Sequence, residues 1–253
     1  LFTEYIAKAS DTIIENVGNN GGTYDDGEDT FITGTDPNNY IWYSGKLWRA
    51  VSVNNADKTT KLVTQWNVSS IHYGRTSNSA DFLDSEMKIW LNDTSIDGFL
   101  GNLRDYQNFI VTDAVWDATQ DNTALGNITR PNGTSVVSAA VGILNMYEYQ
   151  SSYHGTTYSN GYLNNGLGWW TLTRNAVSSV RYVQYNGNVA ASNPVSSQGI
   201  RPSINLQSSV AIVEGDGTED NPYRLEGDND SNLSGTLLNT RHSGEYISFG
   251  TGE

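Results

Sequence analysis

Cysteine is absent from the 253-residue chain, so thiol nucleophiles, thiolate metal sites and disulfides are excluded together. Bases are scarce: 14 Lys and Arg stand against 28 Asp and Glu, a net charge of -14. With no basic run, a phosphate backbone would be repelled, and nucleic acid is not an expected partner. No apolar run reaches the roughly 18 residues a membrane helix needs, so no membrane insertion is expected within this chain. The opening LFTEYIAKAS lacks a basic segment followed by an apolar one; a signal or anchor would lie outside the sequence. The strong catalytic signatures are missing too: there is no H-E-x-x-H, P-loop, G-x-G-x-x-G or G-x-S-x-G. The histidines, His72, His154 and His242, are far apart in polar, Gly-rich or Ser-rich surroundings and read as loop residues. Ser85-Glu86-Met87-Lys88 has the serine-lysine spacing of one nucleophile class, but its companion motifs do not follow, and Ser85 suits a helix N-cap.

What remains is rich in Asn, Ser, Thr, Gly and Tyr, with only 17% charged residues. That profile is common in secreted bacterial surface proteins, and an extracellular, cell-surface location is expected. Acids gather in two stretches, Asp25 to Asp29 and Glu214 to Asp220. Either could be a solvated turn. Asp216, Glu219 and Asp220 are weak calcium candidates, because Asn221 stands where the twelve-residue calcium loop needs glycine; no other cofactor is expected.

Aromatics are more informative. Trp42, Trp48, Trp66 and Trp90 adjoin apolar residues and are expected in the core. Trp169-Trp170 differs, since strand neighbours point to opposite faces: one ring can be buried while the other meets polar surroundings and binds a ligand, a reading set against complete burial of both.

Along the chain, Leu1, Tyr5, Ile6, Ala9 and Ile13 space a helix over residues 1–16. TYDDGEDTFITG reads as an acidic loop, and NYIWYSGKLWRAVSVN as a hairpin turning at Ser44-Gly45 or Gly45-Lys46. A helix capped by Ser85 follows, then a short turn at Phe99, Leu100 and Leu103, and a third helix from Ser138. Residues 151–168 are polar and irregular. WWTLTR, VRYVQY, NVAAS and IRPSINL are strands of a late meander, with Asn186-Gly187 as a two-residue turn. YIWYSGK at 40–46 is loosely echoed by YISFGTGE at 246–253, suggesting a tandem repeat. These signals divide the chain into an N-terminal helix and linker (1–22), one main domain (23–227) and a linker opening a possible second repeat (228–253).

The order NNYIWYSGKLWRAVSVN, KLVTQWNVSSI with Gly74, SEMKIWLND, VGILNMYEY, WW, GIRPSINL and EGDGTEDNPYRL resembles a domain of unknown function widespread in surface and secreted proteins of Gram-positive bacteria. That family in turn resembles the C-type lectin-like superfamily, which includes formylglycine-generating enzymes and phage tropism determinants. There a late Gly-aliphatic-Arg closes the fold, the place Gly199-Ile200-Arg201 fits. The resemblance implies an α+β, C-type lectin-like fold, two or three helices packed on twisted, mostly antiparallel sheets. It does not carry over the enzyme activity, which uses cysteines. It places ligand contacts in residues 169–198, making Arg174, Arg181 and Tyr185 candidates beside one of Trp169 and Trp170. Arg201 is expected to be a structural clamp ringed by carbonyls or a carboxylate.

Function is then expected to be noncatalytic recognition of a glycan or protein on another cell surface. The alternatives are a structural unit of a surface array or filament, and an extracellular glycoside hydrolase built on two facing carboxylates.

Overall fold

The computed structural model describes residues 7–228. Leu1, Tyr5, Ile6, His242 and the echo at 246–253 lie outside the described residues. The first helix, α1, spans Ala9–Glu15 and seats Ala9 and Ile13 in the core.

The stretch expected to be an acidic loop is a hairpin, β1 (Gly21–Asp25) with β2 (Asp29–Gly34). Its β-forming residues outweigh its acids, because Phe31 and Ile32 are buried while the acids sit in the turn or at the strand ends beside it. There Asp26 Oδ1 accepts from Glu28 N at 3.0 Å and Asp29 N at 2.9 Å. The next hairpin, β3 (Tyr40–Tyr43) with β4 (Lys46–Asn54), turns at Ser44-Gly45 as expected. Both turn residues have positive φ, 52° and 68°, as a type I′ turn requires. Strands β5 (Thr60–Thr64) and β6 (Ser69–His72) follow.

Helix α2 (Glu86–Asn92) starts where Ser85 predicts, with Ser85 Oγ accepting from Lys88 N at 3.0 Å. Ser85→Ala is expected to lower stability by about 1 kcal/mol, read as a fall in denaturation midpoint with an unchanged denaturant slope. A 3-10 turn at Leu100–Asn102 and α3 (Tyr106–Phe109) come next, then a two-stranded ribbon of β7 (Val115–Asp117) and β8 (Val136–Ser138).

The third helix does not start at Ser138. Residues 139–145 are not helical, Gly142 pairs with Ser203, and α4 covers Met146–Ser152. Asn145 caps it, and Glu148 closes the capping box by accepting from Asn145 N at 2.8 Å.

Late strands are β9 (Trp169–Ala176), β10 (Ser179–Val183), β11 (Val189–Ser192), β12 (Ser197–Ile200), β13 (Ser203–Leu206), β14 (Ile212–Glu214) and β15 (Tyr223–Leu225). They do not form one meander. β9, β10 and β11 do, but β12 joins β9 in parallel, giving the order β11-β10-β9-β12-β6. The other large sheet runs β1-β2-β4-β3-β15-β14, with β5 on β4 and β13 on β5.

The two sheets are joined by one bent pair of strands. β5 and β13 pair in the larger sheet, and β6 and β12 continue that antiparallel pairing in the smaller. The bend falls at Gln65–Val68 on one side and Arg201-Pro202 on the other, bracketed by Thr64 N donating to Pro202 O and Val68 N to Ile200 O. Proline suits the corner, since it has no N–H to leave unpaired.

The architecture is α+β: short helices set against predominantly antiparallel sheets around one core. Trp48 is in that core, but Trp42 and Trp90 are only partly buried and Trp66 is 38% exposed. Among the described residues no helix is long and apolar enough to cross a membrane.

Candidate functional site

The late sheet does not present the expected binding face. Trp169 and Trp170 are both buried, at 1% and 0% exposure, because each face of β9 is covered. Trp169 meets Tyr149 of α4 edge-on at 5.6 Å, while Trp170 packs on Tyr73 and Tyr182 and donates from Nε1 to Ile71 O at 3.2 Å.

Arg181 was expected to be a ligand contact, but the connection between β7 and β8 covers it. Arg181 is buried, and its Nη1 donates to the carbonyls of Thr123 and Asp121 at 2.7 and 3.3 Å. Arg174 is partly buried, and its carbonyl accepts from Asp121 N. Tyr185, 71% exposed, sits at the tip of the β10–β11 loop. That turn is not the two-residue type I′ form: Asn186 lacks positive φ, only Gly187 has it at 82°, and Gln184 N bonds Asn188 O across a three-residue loop. The five candidates therefore do not converge on one surface.

Arg201 is the corner clamp that its position implies. It is fully buried, with Nε donating to Thr64 O at 2.9 Å, Nη1 to Leu163 O at 2.6 Å, and the guanidinium 4.9 Å from the Trp169 ring centre. Two carbonyls hold it, while among the described residues no carboxylate does and Nη2 has no partner. Burial, and secondarily the charge of Arg49, push its pKa down to about 9, so it is still a cation at neutral pH.

Asp216, Glu219 and Asp220 are exposed in the β14–β15 turn. Asp216 Oδ1 is engaged by Thr218 N at 3.1 Å and Thr218 Oγ1 at 2.7 Å, an Asx-type turn. Among the described residues, no group of three or more His, Asp or Glu side chains is placed to hold a metal ion.

A sizeable hollow lies elsewhere. It is a cleft of about 610 Å³ between the β1–β2 and β4–β5 turns, the β7–β8 ribbon and the start of α4. On its floor Lys61 of β5 pairs with Glu148 of α4, whose other oxygen closes the capping box. The Lys61 ammonium also lies 4.9 Å from the ring centre of buried Trp116. The floor is thus fixed by helix capping, an ion pair and a ring together. Along the walls, Asp117 is held by Thr119 and by Gly133 N, and Asp57 by Thr59. The side chains of Asp113 and Asn205 also line the cleft, yet neither has a hydrogen-bond partner among the described residues. Both side chains are available to a ligand.

One wall is the long connection between β7 and β8, and it is tied down at several points. Arg181 holds its carbonyls, Gln150 Oε1 accepts from Gly126 N and Ile128 N, and Arg130 reaches to the β1–β2 turn. Arg130 donates from Nε to Asp26 Oδ2 at 2.8 Å and from Nη2 to Asp26 and Asp29, while Glu28 lies 3.4 Å away. Tyr147 Oη donates to the same Asp26 oxygen at 2.7 Å.

Desolvation pushes the Asp26 pKa up. Even so, hydrogen bonds from Asp29 N, Tyr147, Arg130 and Glu28 N bring it below the ordinary 3.8. A carboxyl lowered on folding contributes stability that is complete above its unfolded pKa and is lost as pH falls through the folded value. Acidification below about pH 4 is therefore expected to release this wall. Arg130→Ala should weaken that acid dependence without abolishing it, since Asp29 N, Tyr147 and Glu28 N still bond Asp26, measured as melting midpoint against pH.

Sequence reasoning missed Lys61, Glu148, Arg130, Asp113 and Asn205. Only the Asn145-x-x-Glu148 spacing was a usable signal, as a capping box. No family model, no curated protein and no solved structure matches the chain.

Proposed function

We propose that this chain is a noncatalytic extracellular recognition module with a C-type lectin-like frame, and that it binds a glycan on another cell surface in the Lys61–Glu148 cleft. The cleft carries this reading: it is concave, preformed and lined mainly by hydrogen-bonding groups, with Asp113 and Asn205 unengaged. Carboxylate and amide side chains at fixed positions suit a ligand that offers many hydroxyl donors and acceptors. Gly199-Ile200-Arg201 at the corner between the sheets supports the lectin-like frame, since a closing segment would stand there.

The hydrolase alternative draws no support from Glu148, both of whose oxygens are occupied by Lys61 and Asn145 N. The array alternative rests on the terminal echo, outside the described residues.

The test is a glycan array, with whole cells as a second target. The expected result is binding to a subset of glycans and its loss in Asp113→Ala/Asn205→Ala. Failure to bind any glycan or any cell would overturn the reading.

A further inference from the structure

Resting on the cleft as a glycan site, we infer that its ligand is a linear oligosaccharide of uncharged or amino sugars, lying across two adjoining lobes with Pro131 between its units. The first lobe is the cleft itself. A second hollow of about 250 Å³ shares Arg130, Pro131 and Tyr147 with it and lies on the connection between β7 and β8. That volume equals about eight waters of bulk liquid, room for a further small unit rather than a second independent ligand.

The second lobe adds further neutral polar groups beside Asp121. Gln120, Thr123, Thr129 and Asn132 line the second. Their amides and hydroxyls both donate and accept, which matches sugar hydroxyls that do the same.

Charge selects the kind of sugar. The cations lining the first lobe, Lys61 and Arg130, are already paired with Glu148 and with Asp26 and Asp29. Asp113, at the wall, is an unpaired acid. An anionic sugar would meet repulsion with no free cation to offset it, whereas an amino sugar would find a counter-charge. Because Arg130, Arg181 and Gln150 hold the shared wall in place, a second sugar unit adds contacts without ordering a loop first.

The test measures affinity by titration calorimetry for one-, two- and three-unit chains of N-acetylglucosamine, glucosamine, mannose and galacturonic acid, with oligolysine as a peptide probe. At least one uncharged or amino-sugar series should gain roughly tenfold or more from one unit to three. Galacturonate chains should stay weakest. Gln120→Ala/Thr129→Ala, at two exposed positions, should abolish the gain while leaving single-unit binding intact. Equal affinity for one and three units would overturn the two-lobe inference and leave the glycan reading standing. Preference for galacturonate chains would overturn the charge argument, and preference for oligolysine over every sugar would make the ligand a basic peptide. No binding by any sugar would overturn the inference and the glycan reading together.

Discussion

Arg201→Ala should destabilise the fold by about 3–5 kcal/mol, more than any change in the cleft. Two buried carbonyls, Thr64 O and Leu163 O, would lose their donors, and each orphaned buried acceptor costs about 1–3 kcal/mol. The truncated side chain would also leave a cavity beside Trp169, whose ring lies against the guanidinium. For a domain of this size the loss corresponds to a fall in Tm on the order of 10 °C. Arg201→Lys should recover only part, because a compact ammonium lacks the planar fork that serves two carbonyls while stacking on a ring. Chemical denaturation of both variants checks this. A loss below about 1 kcal/mol in Arg201→Ala would mean that the corner holds without its clamp.

Trp170→Ala and Trp169→Ala should each cost about 3–5 kcal/mol, whereas Tyr185→Ala should stay within about 0.5 kcal/mol of wild type. The contrast follows from burial: the tryptophans are at most 1% exposed and Tyr185 is 71% exposed. Trp169 and Arg201 touch, so their double variant should cost less than the sum of the singles, while Trp170, on the opposite face of β9, should add more nearly independently. Equilibrium unfolding of the single and double variants measures these terms. A stable Trp170→Ala protein with altered ligand binding would restore the late sheet as a binding face.

Local chemistry was legible in the sequence. Ser44-Gly45 and the Ser85 cap were readable because a turn and a cap act over a few residues, whereas IRPSINL, expected as one strand, bends at Arg201-Pro202 between β12 and β13. The third helix was misplaced because Val141 and Leu144 fit an apolar helical stripe and also a non-helical buried segment. What decided between them was Gly142 pairing with Ser203, some sixty positions away. The Trp169-Trp170 alternation was sound as far as it went, since the two rings do point to opposite faces. It failed on the premise that one face meets water, and α4 and Tyr73 cover those faces from elsewhere in the chain.

The cleft was the least legible part. Glu28, Lys61, Asp113, Arg130, Glu148 and Asn205 come from separate turns, strands and a helix, and no spacing links them. Arg181 and Arg201 were readable as important cations, but burial assigns both to bracing, one for the cleft wall and one for the sheet corner.

The central claim is that recognition happens in the cleft while the tryptophan sheet is scaffold. Its most direct test is a side-by-side binding titration of wild type, Asp113→Ala and Tyr185→Ala against the best glycan from the array, all three checked for equal thermal stability. The account predicts at least a tenfold loss for Asp113→Ala, about 1.4 kcal/mol, and unchanged affinity for Tyr185→Ala. The reverse pattern, with Tyr185→Ala weakened and Asp113→Ala intact, would contradict it.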